Sequence, residues 1–215
     1  MTHEETIKGF LEFYTQAEKL KVTLRHSWLS NPKRQESTAE HSWMVGLLAI
    51  VLSGELETKV NVLKVLKMAI VHDLAESITG DIPSFEDSKR KKNKHQAELK
   101  ALKKLTKNLS PKIAAELLML WEECEQKETL EAKFVQSLDK LEAVMQHNTA
   151  NISTWQQGDY DIQPYYRDHL FNFDTFIRKL KDQVDIDTMK KIIKAKLRHR
   201  IDPIHYQRFK TNKKS

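Results

Sequence analysis

Apolar positions recur along this chain at helical spacing. Ile7, Phe10, Leu11 and Tyr14 fall at i, i+3, i+4 and i+7, one stripe of a helix over residues 4–21. The stripe breaks over residues 24–35, where Asn31-Pro32 marks a turn. Ser37, with Glu40 three residues on, makes a capping box that opens a helix running to about Ser53. Residues 58–77 are apolar on most sides, which predicts a central helix, and it stops near Thr79-Gly80. A short loop over 81–87 holds Pro83. A basic helix over 88–108 follows, then one from Ser110-Pro111 to about Gln126. The helix over 129–153 carries Phe134, Leu138, Leu141 and Met145 as its core stripe. Beyond Gly158 and Pro164 come two amphipathic segments, about 165–182 and 186–200, and a basic tail over 201–215 that is expected to fray. The pattern predicts an all-α fold.

Composition agrees and removes other classes. The 215 residues fit one large domain. Five glycines and five prolines are too few for a turn-rich β-sandwich or barrel. Cys124 is the only cysteine, so no disulfide forms within the chain and a reducing, cytoplasmic setting is the default. The longest apolar run, Trp43 to Leu52, has ten residues. A spanning helix needs about 20. The N-terminus carries acids and no apolar stretch of the secretory kind.

Charge changes the picture less. The net charge is +6, from 36 Lys/Arg and 30 Asp/Glu. Nine Lys/Arg lie in residues 89–107 and ten in 190–214, each run with one acid. Such runs allow a nucleic-acid-binding reading, but solvated helix faces explain them as well, and no zinc-finger or RNP-type string supports nucleic acid as a partner.

The chemistry points elsewhere. His72-Asp73 ends the most apolar helix, and an ionisable pair there is costly unless something satisfies it. Glu76 follows four residues after His72 and three after Asp73, on a similar side of a helix. His41 starts the second helix where an apolar stretch begins, and Asp139 sits beside the core stripe in FVQSLDKLE. His41, His72, Asp73 and Asp139 offer two nitrogens and two oxygens, a set suited to a divalent first-row metal with positions left open. Buried histidine is also common as plain core, and His147 and His169 are read as core or surface.

These residues resemble the H…HD…D signature of the HD-domain metal-dependent phosphohydrolases. The strings RQESTAEHSW, HDLAESITGDIP and AKFVQSLDKLE are similar to the branch that contains 5′-deoxynucleotidases. The likeness covers about residues 20–150. Ser77 stands where guanosine tetraphosphate hydrolases have the last acid of HDxxED, and the lysine of the cyclic dinucleotide phosphodiesterases is absent, with Glu76 in its neighbourhood. The resemblance implies a single-domain HD-type helical bundle over 1–200, with core 20–157 and C-terminal helices 165–200. It implies a divalent ion (Mn, Co, Fe, Zn or Mg) on His41, His72, Asp73 and Asp139, and a deoxyribonucleoside 5′-monophosphate substrate. Glu76 would position or deprotonate water or pass a proton to the leaving oxygen, and Asp81 would orient that water or contact the sugar. Arg25 would bind phosphate and Trp28 would pack on sugar or base, from the RHSW string. The family commonly forms homodimers. The alternatives are another nucleotide substrate, or a basic nucleic-acid-binding helical protein.

Overall fold

Ser37 fixes where the central helices begin. Its hydroxyl accepts the Glu40 amide, and the Glu40 carboxylate accepts the Ser37 amide at 2.9 Å, the capping box expected from sequence. The computed structural model describes residues 2–212. It contains helices α1 (His3–Ala17), α2 (Thr38–Leu52), α3 (Val62–Val71), α4 (Glu76–Thr79), α5 (Lys89–Lys92), α6 (Lys94–Thr106), α7 (Pro111–Gln126), α8 (Leu130–Thr149), α9 (Gln157–Ile162), α10 (Thr175–Lys194) and α11 (Pro203–Asn212). One hairpin, β1 (Leu24–Trp28) with β2 (Gln35–Ser37), is the sheet among the described residues.

The main core lies where α2, α3, α7 and α10 pack around α8. Phe134, Val135, Leu138 and Leu141 of α8 are buried against Val45 and Ala49 of α2, Val65, Met68 and Ala69 of α3, and Ile177 of α10. A second cluster joins Leu20, Val71, Leu74, Leu102 and Trp121. Burial of this apolar surface is the main term holding the bundle together.

Four segments depart from the sequence expectation. The break over 24–35 holds an antiparallel hairpin with irregular register, Leu24 opposite Ser37 and Trp28 opposite Gln35. Its inward positions are polar (Arg25, Ser27), so the strand shows no alternation of apolar residues. The helix expected over 58–77 ends at Val71. The backbone then tightens, with Leu74, Glu76 and Ser77 amides bonding three residues back, and restarts as α4 up to Gly80 at φ +73°. The two segments expected at 165–182 and 186–200 are largely one helix, α10, capped by Asp174. The polar stretch around Asp185 looks like a break, but Lys181 and Asp185 pair in its interior. The expected fraying tail is a helix as far as Asn212. Ile201 and Phe209 are buried beside Trp155, Tyr160 and Met189. Residues 213–215 of that tail lie outside the described residues.

α3 is also less central than its composition implies. Leu63 and Ile70 face outward with Trp43, Ile50 and Val51 of α2, all more than half exposed.

Candidate active site

Three elements bring four side chains to one point. The α2 capping box sets the first turn that carries His41, which is fully buried. The tightened turn after α3 presents His72 and Asp73, and α8 presents Asp139. His41 Nε2 lies 3.2 Å from Asp139 Oδ1 and 3.7 Å from Asp73 Oδ2. His72 Nε2 lies 3.1 Å from Asp73 Oδ2.

The outward ring nitrogens decide what these groups need. His41 Nδ1 meets Glu142 Oε2 at 2.5 Å and His72 Nδ1 meets the Ala69 carbonyl at 2.9 Å. Both partners only accept, so each Nδ1 donates. On a neutral ring Nε2 then carries the lone pair. His41 Nε2 and His72 Nε2 are both buried without a hydrogen-bond partner among the described residues. Two orphaned lone pairs and two carboxylates face one another, all acceptors. A divalent cation satisfies the whole set, and histidines braced at the far nitrogen are the usual arrangement of a metal centre. The residues fit the ion expected from the sequence.

Charges around the point are strongly perturbed. Burial and Arg25 oppose the charged form of His41, yet Glu142 and Asp139 push it up to about 10. The field of the site thus demands positive charge there. Asp73 and Asp139 stay well below the usual carboxylate range despite burial, Asp73 through His72 and Asp139 through Lys140 and His41. Glu76 behaves in the opposite way. Burial, with Asp73 and Asp81 nearby, pushes it up to about 8, although Lys94 pulls it down.

Cations ring the acids. Arg25 Nη1 reaches Asp73 at 3.4 Å and Asp81 at 3.9 Å, and its Nε faces Glu36 at 3.3 Å. Lys94 bridges Glu76 and Glu98, both at 3.1 Å. Lys140 contacts Asp139 Oδ2 at 2.6 Å. Above them opens a cavity of about 290 Å³ whose wall includes Arg25, His72, Asp73, Glu76, Asp81 and Lys140. A larger cavity of about 660 Å³ lies between α1 and α6, away from these groups.

Of the site residues expected from sequence, His41, His72, Asp73, Asp139, Glu76, Asp81 and Arg25 come together. Trp28 does not. It sits at the far end of β1, lines neither this cavity nor its neighbour, and offers its carbonyl to Gln146 at 2.6 Å. His169 stands in the cavity wall. Sequence reasoning missed Glu142, Lys94 and Lys140. Glu142 was detectable as the acid one helical step after Asp139. Lys94 was hidden inside a run that looks like a solvated face.

The HD-domain family model matches residues 17–181. The chain is 35% identical over 140 residues to the 5′-deoxynucleotidase HDDC2 of Homo sapiens, covering 65% of this chain and 67% of that protein. It is 30% identical over 176 residues to the Dictyostelium discoideum protein of the same name, covering 79% and 87%. Among solved structures, one described as a predicted metal-dependent phosphohydrolase from Magnetospirillum magnetotacticum superposes with a TM-score of 0.71 at 25% identity, over 93% of this chain and 97% of that one.

Proposed function

The chain belongs to the HD-domain family, and from that premise we propose that it is a metal-dependent phosphohydrolase releasing phosphate from deoxyribonucleoside 5′-monophosphates. The observation that carries the reading is the acceptor-only meeting of His41 Nε2, His72 Nε2, Asp73 and Asp139 at the floor of a cation-ringed cavity. The relatives, 5′-deoxynucleotidases, suggest the substrate class.

His41, His72, Asp73 and Asp139 would hold the ion, of Mn, Co, Fe, Zn or Mg type. When bound, it supplies positive charge to the phosphate and lowers the pKa of a coordinated water. Arg25 presents a planar guanidinium to the phosphate from the cavity wall. Lys140 and Lys94 add positive charge from opposite elements. Glu76, held near a pKa of about 8, keeps a proton around neutral pH and delivers it to the leaving 5′-oxygen. Asp81, 3.9 Å from Arg25, orients that guanidinium or a water beside it.

The exposed apolar face of Trp43, Ile50, Val51, Leu63 and Ile70 supports a homodimer, which light scattering on the purified chain tests. No helix among the described residues is long and apolar enough to cross a membrane, and the unpaired, buried Cys124 fits a cytoplasmic setting. Two lysines of the basic run at 89–107, Lys91 and Lys94, line the cavity instead of an outer face.

Phosphate release from a panel of ribo-, deoxyribo-, cyclic and pyrophosphorylated nucleotides, with manganese or cobalt, tests the activity. Deoxyribonucleoside monophosphates should be hydrolysed, chelator should stop turnover, and His72→Ala or Asp139→Ala should abolish it. Full activity in either variant contradicts the assignment.

A further inference from the structure

A smaller cavity of about 60 Å³ adjoins the active site and shares Arg25, Asp81, Ile82, Ser84 and Tyr166 with it. His26 of β1, His147 of α8 and Asp159 of α9 meet in its wall. Each offers a donor atom, and these atoms lie within 4.8 Å of one another. His26 Nε2 lies 2.9 Å from Asp159 Oδ2, and His147 Nε2 lies 3.2 Å from Asp159 Oδ1. Donors bound to one ion at about 2.1 Å, and about 90–109° apart, sit about 3.0–3.4 Å from each other. The observed spacing is close to that range.

One ring of this cluster is braced as in the first site, while His26 Nε2 already meets the Asp159 carboxylate. His147 Nδ1 donates to the Ala143 carbonyl at 2.8 Å, so on the neutral ring Nε2 carries a lone pair facing the Asp159 carboxylate. Asp159 is held in place by the Gln156 amide at 2.8 Å. A second, independent feature is Gln163. It is 3% exposed, it lines the same cavity, and its Oε1 has no hydrogen-bond partner among the described residues. An orphaned buried acceptor requires a donor. About 60 Å³ is room for an ion and a water or two.

We propose that His26 Nε2, His147 Nε2 and the Asp159 carboxylate form a second divalent-metal site, distinct from the centre on His41, His72, Asp73 and Asp139, with Gln163 Oε1 accepting from a water on its open position. Two imidazoles and one carboxylate suit zinc or cobalt. The Ala143 and Gln156 contacts are the outer bracing such ligands use. The ion would tie β1, α8 and α9 together at the residue next to Arg25, and so hold the phosphate-binding guanidinium in register. The competing account is a proton, with His147 as imidazolium bridging to Asp159.

Metal stoichiometry separates the two. The full chain, stripped with chelator and reloaded with cobalt, should retain one equivalent more than His147→Gln or His26→Gln by elemental analysis. A His72→Gln/Asp139→Asn double variant should retain one equivalent, with visible cobalt absorption that disappears when His147→Gln is added. Equal cobalt content in the unmodified chain and in folded His147→Gln overturns the proposal. Circular dichroism checks each fold, and if His147→Gln fails to fold, His26→Gln and the cobalt spectrum of the double variant decide. The hydrolase reading rests on the first centre and stands or falls separately.

Discussion

Glu142 accepts the Nδ1 proton of His41 at 2.5 Å and thereby dictates which nitrogen His41 turns toward Asp73 and Asp139. Both residues are buried, so the tautomer is fixed by one contact. Glu142→Gln should keep the fold and weaken metal affinity about 10–100-fold, the usual loss when an outer partner of a ligating histidine is changed. Metal titration of the stripped protein measures it. Unchanged affinity would show that His41 is oriented by something else.

Glu76 sets the alkaline limb. Its carboxyl is pushed up to about 8, so the protonated form dominates below that pH and is lost above it. Activity that needs this proton should be high on the acid side and fall as pH rises through the pKa. A bound cation at Asp73 favours the carboxylate form, so the limb should lie at or below pH 8. Glu76→Gln should lower kcat by about 10²–10⁴ and flatten this limb. A pH–kcat profile of both proteins gives the answer.

Lys94 should move that limb in a known direction. It pulls Glu76 downward more strongly than Arg25, the other cation that does so. Lys94→Met removes that pull, so the limb should shift to higher pH. The same change leaves Glu98 unpaired. It should cost about 2 kcal/mol, less than the ~3–5 kcal/mol of a fully buried pair, because Lys94 is about a third exposed. Urea denaturation reads the stability and the pH profile reads the limb.

The Lys181–Asp185 pair of α10 lies away from the chemistry, and Lys181 is fully buried. Lys181→Ala should destabilise the fold by about 3–5 kcal/mol by stranding a buried carboxylate. Replacing both residues by apolar ones of similar volume should lose much less. Metal affinity should not change in either variant. Denaturant titration with and without metal tests both statements.

Gly158 holds the loop after α4 in place. A Cβ there would lie 2.4–2.7 Å from the Phe85 ring, which packs edge-on against His26 at 4.8 Å. Gly158→Ala should displace Phe85, cost about 1–3 kcal/mol, and raise KM more than it lowers kcat. Thermal melts and steady-state kinetics separate the effects.

Where side-chain pattern and structure share a period, the sequence was informative. The Ser37–Glu40 capping box, the Ser110-Pro111 start of α7 and the Gly80 stop all appear where expected. The candidate ligands stood out because His and Asp are conspicuous in apolar helices. The hairpin was not, since its inward residues are polar. Nor was the fate of Lys94, because only tertiary packing tells a solvated lysine from one folded back onto Glu76. Trp28 lies three residues after Arg25 on β1, so strand alternation places it away from the cavity that Arg25 lines.

Lys140 follows Asp139 directly in sequence and folds back onto it at 2.6 Å. An anion entering the cavity therefore meets an ammonium whose charge its own neighbour in sequence already balances.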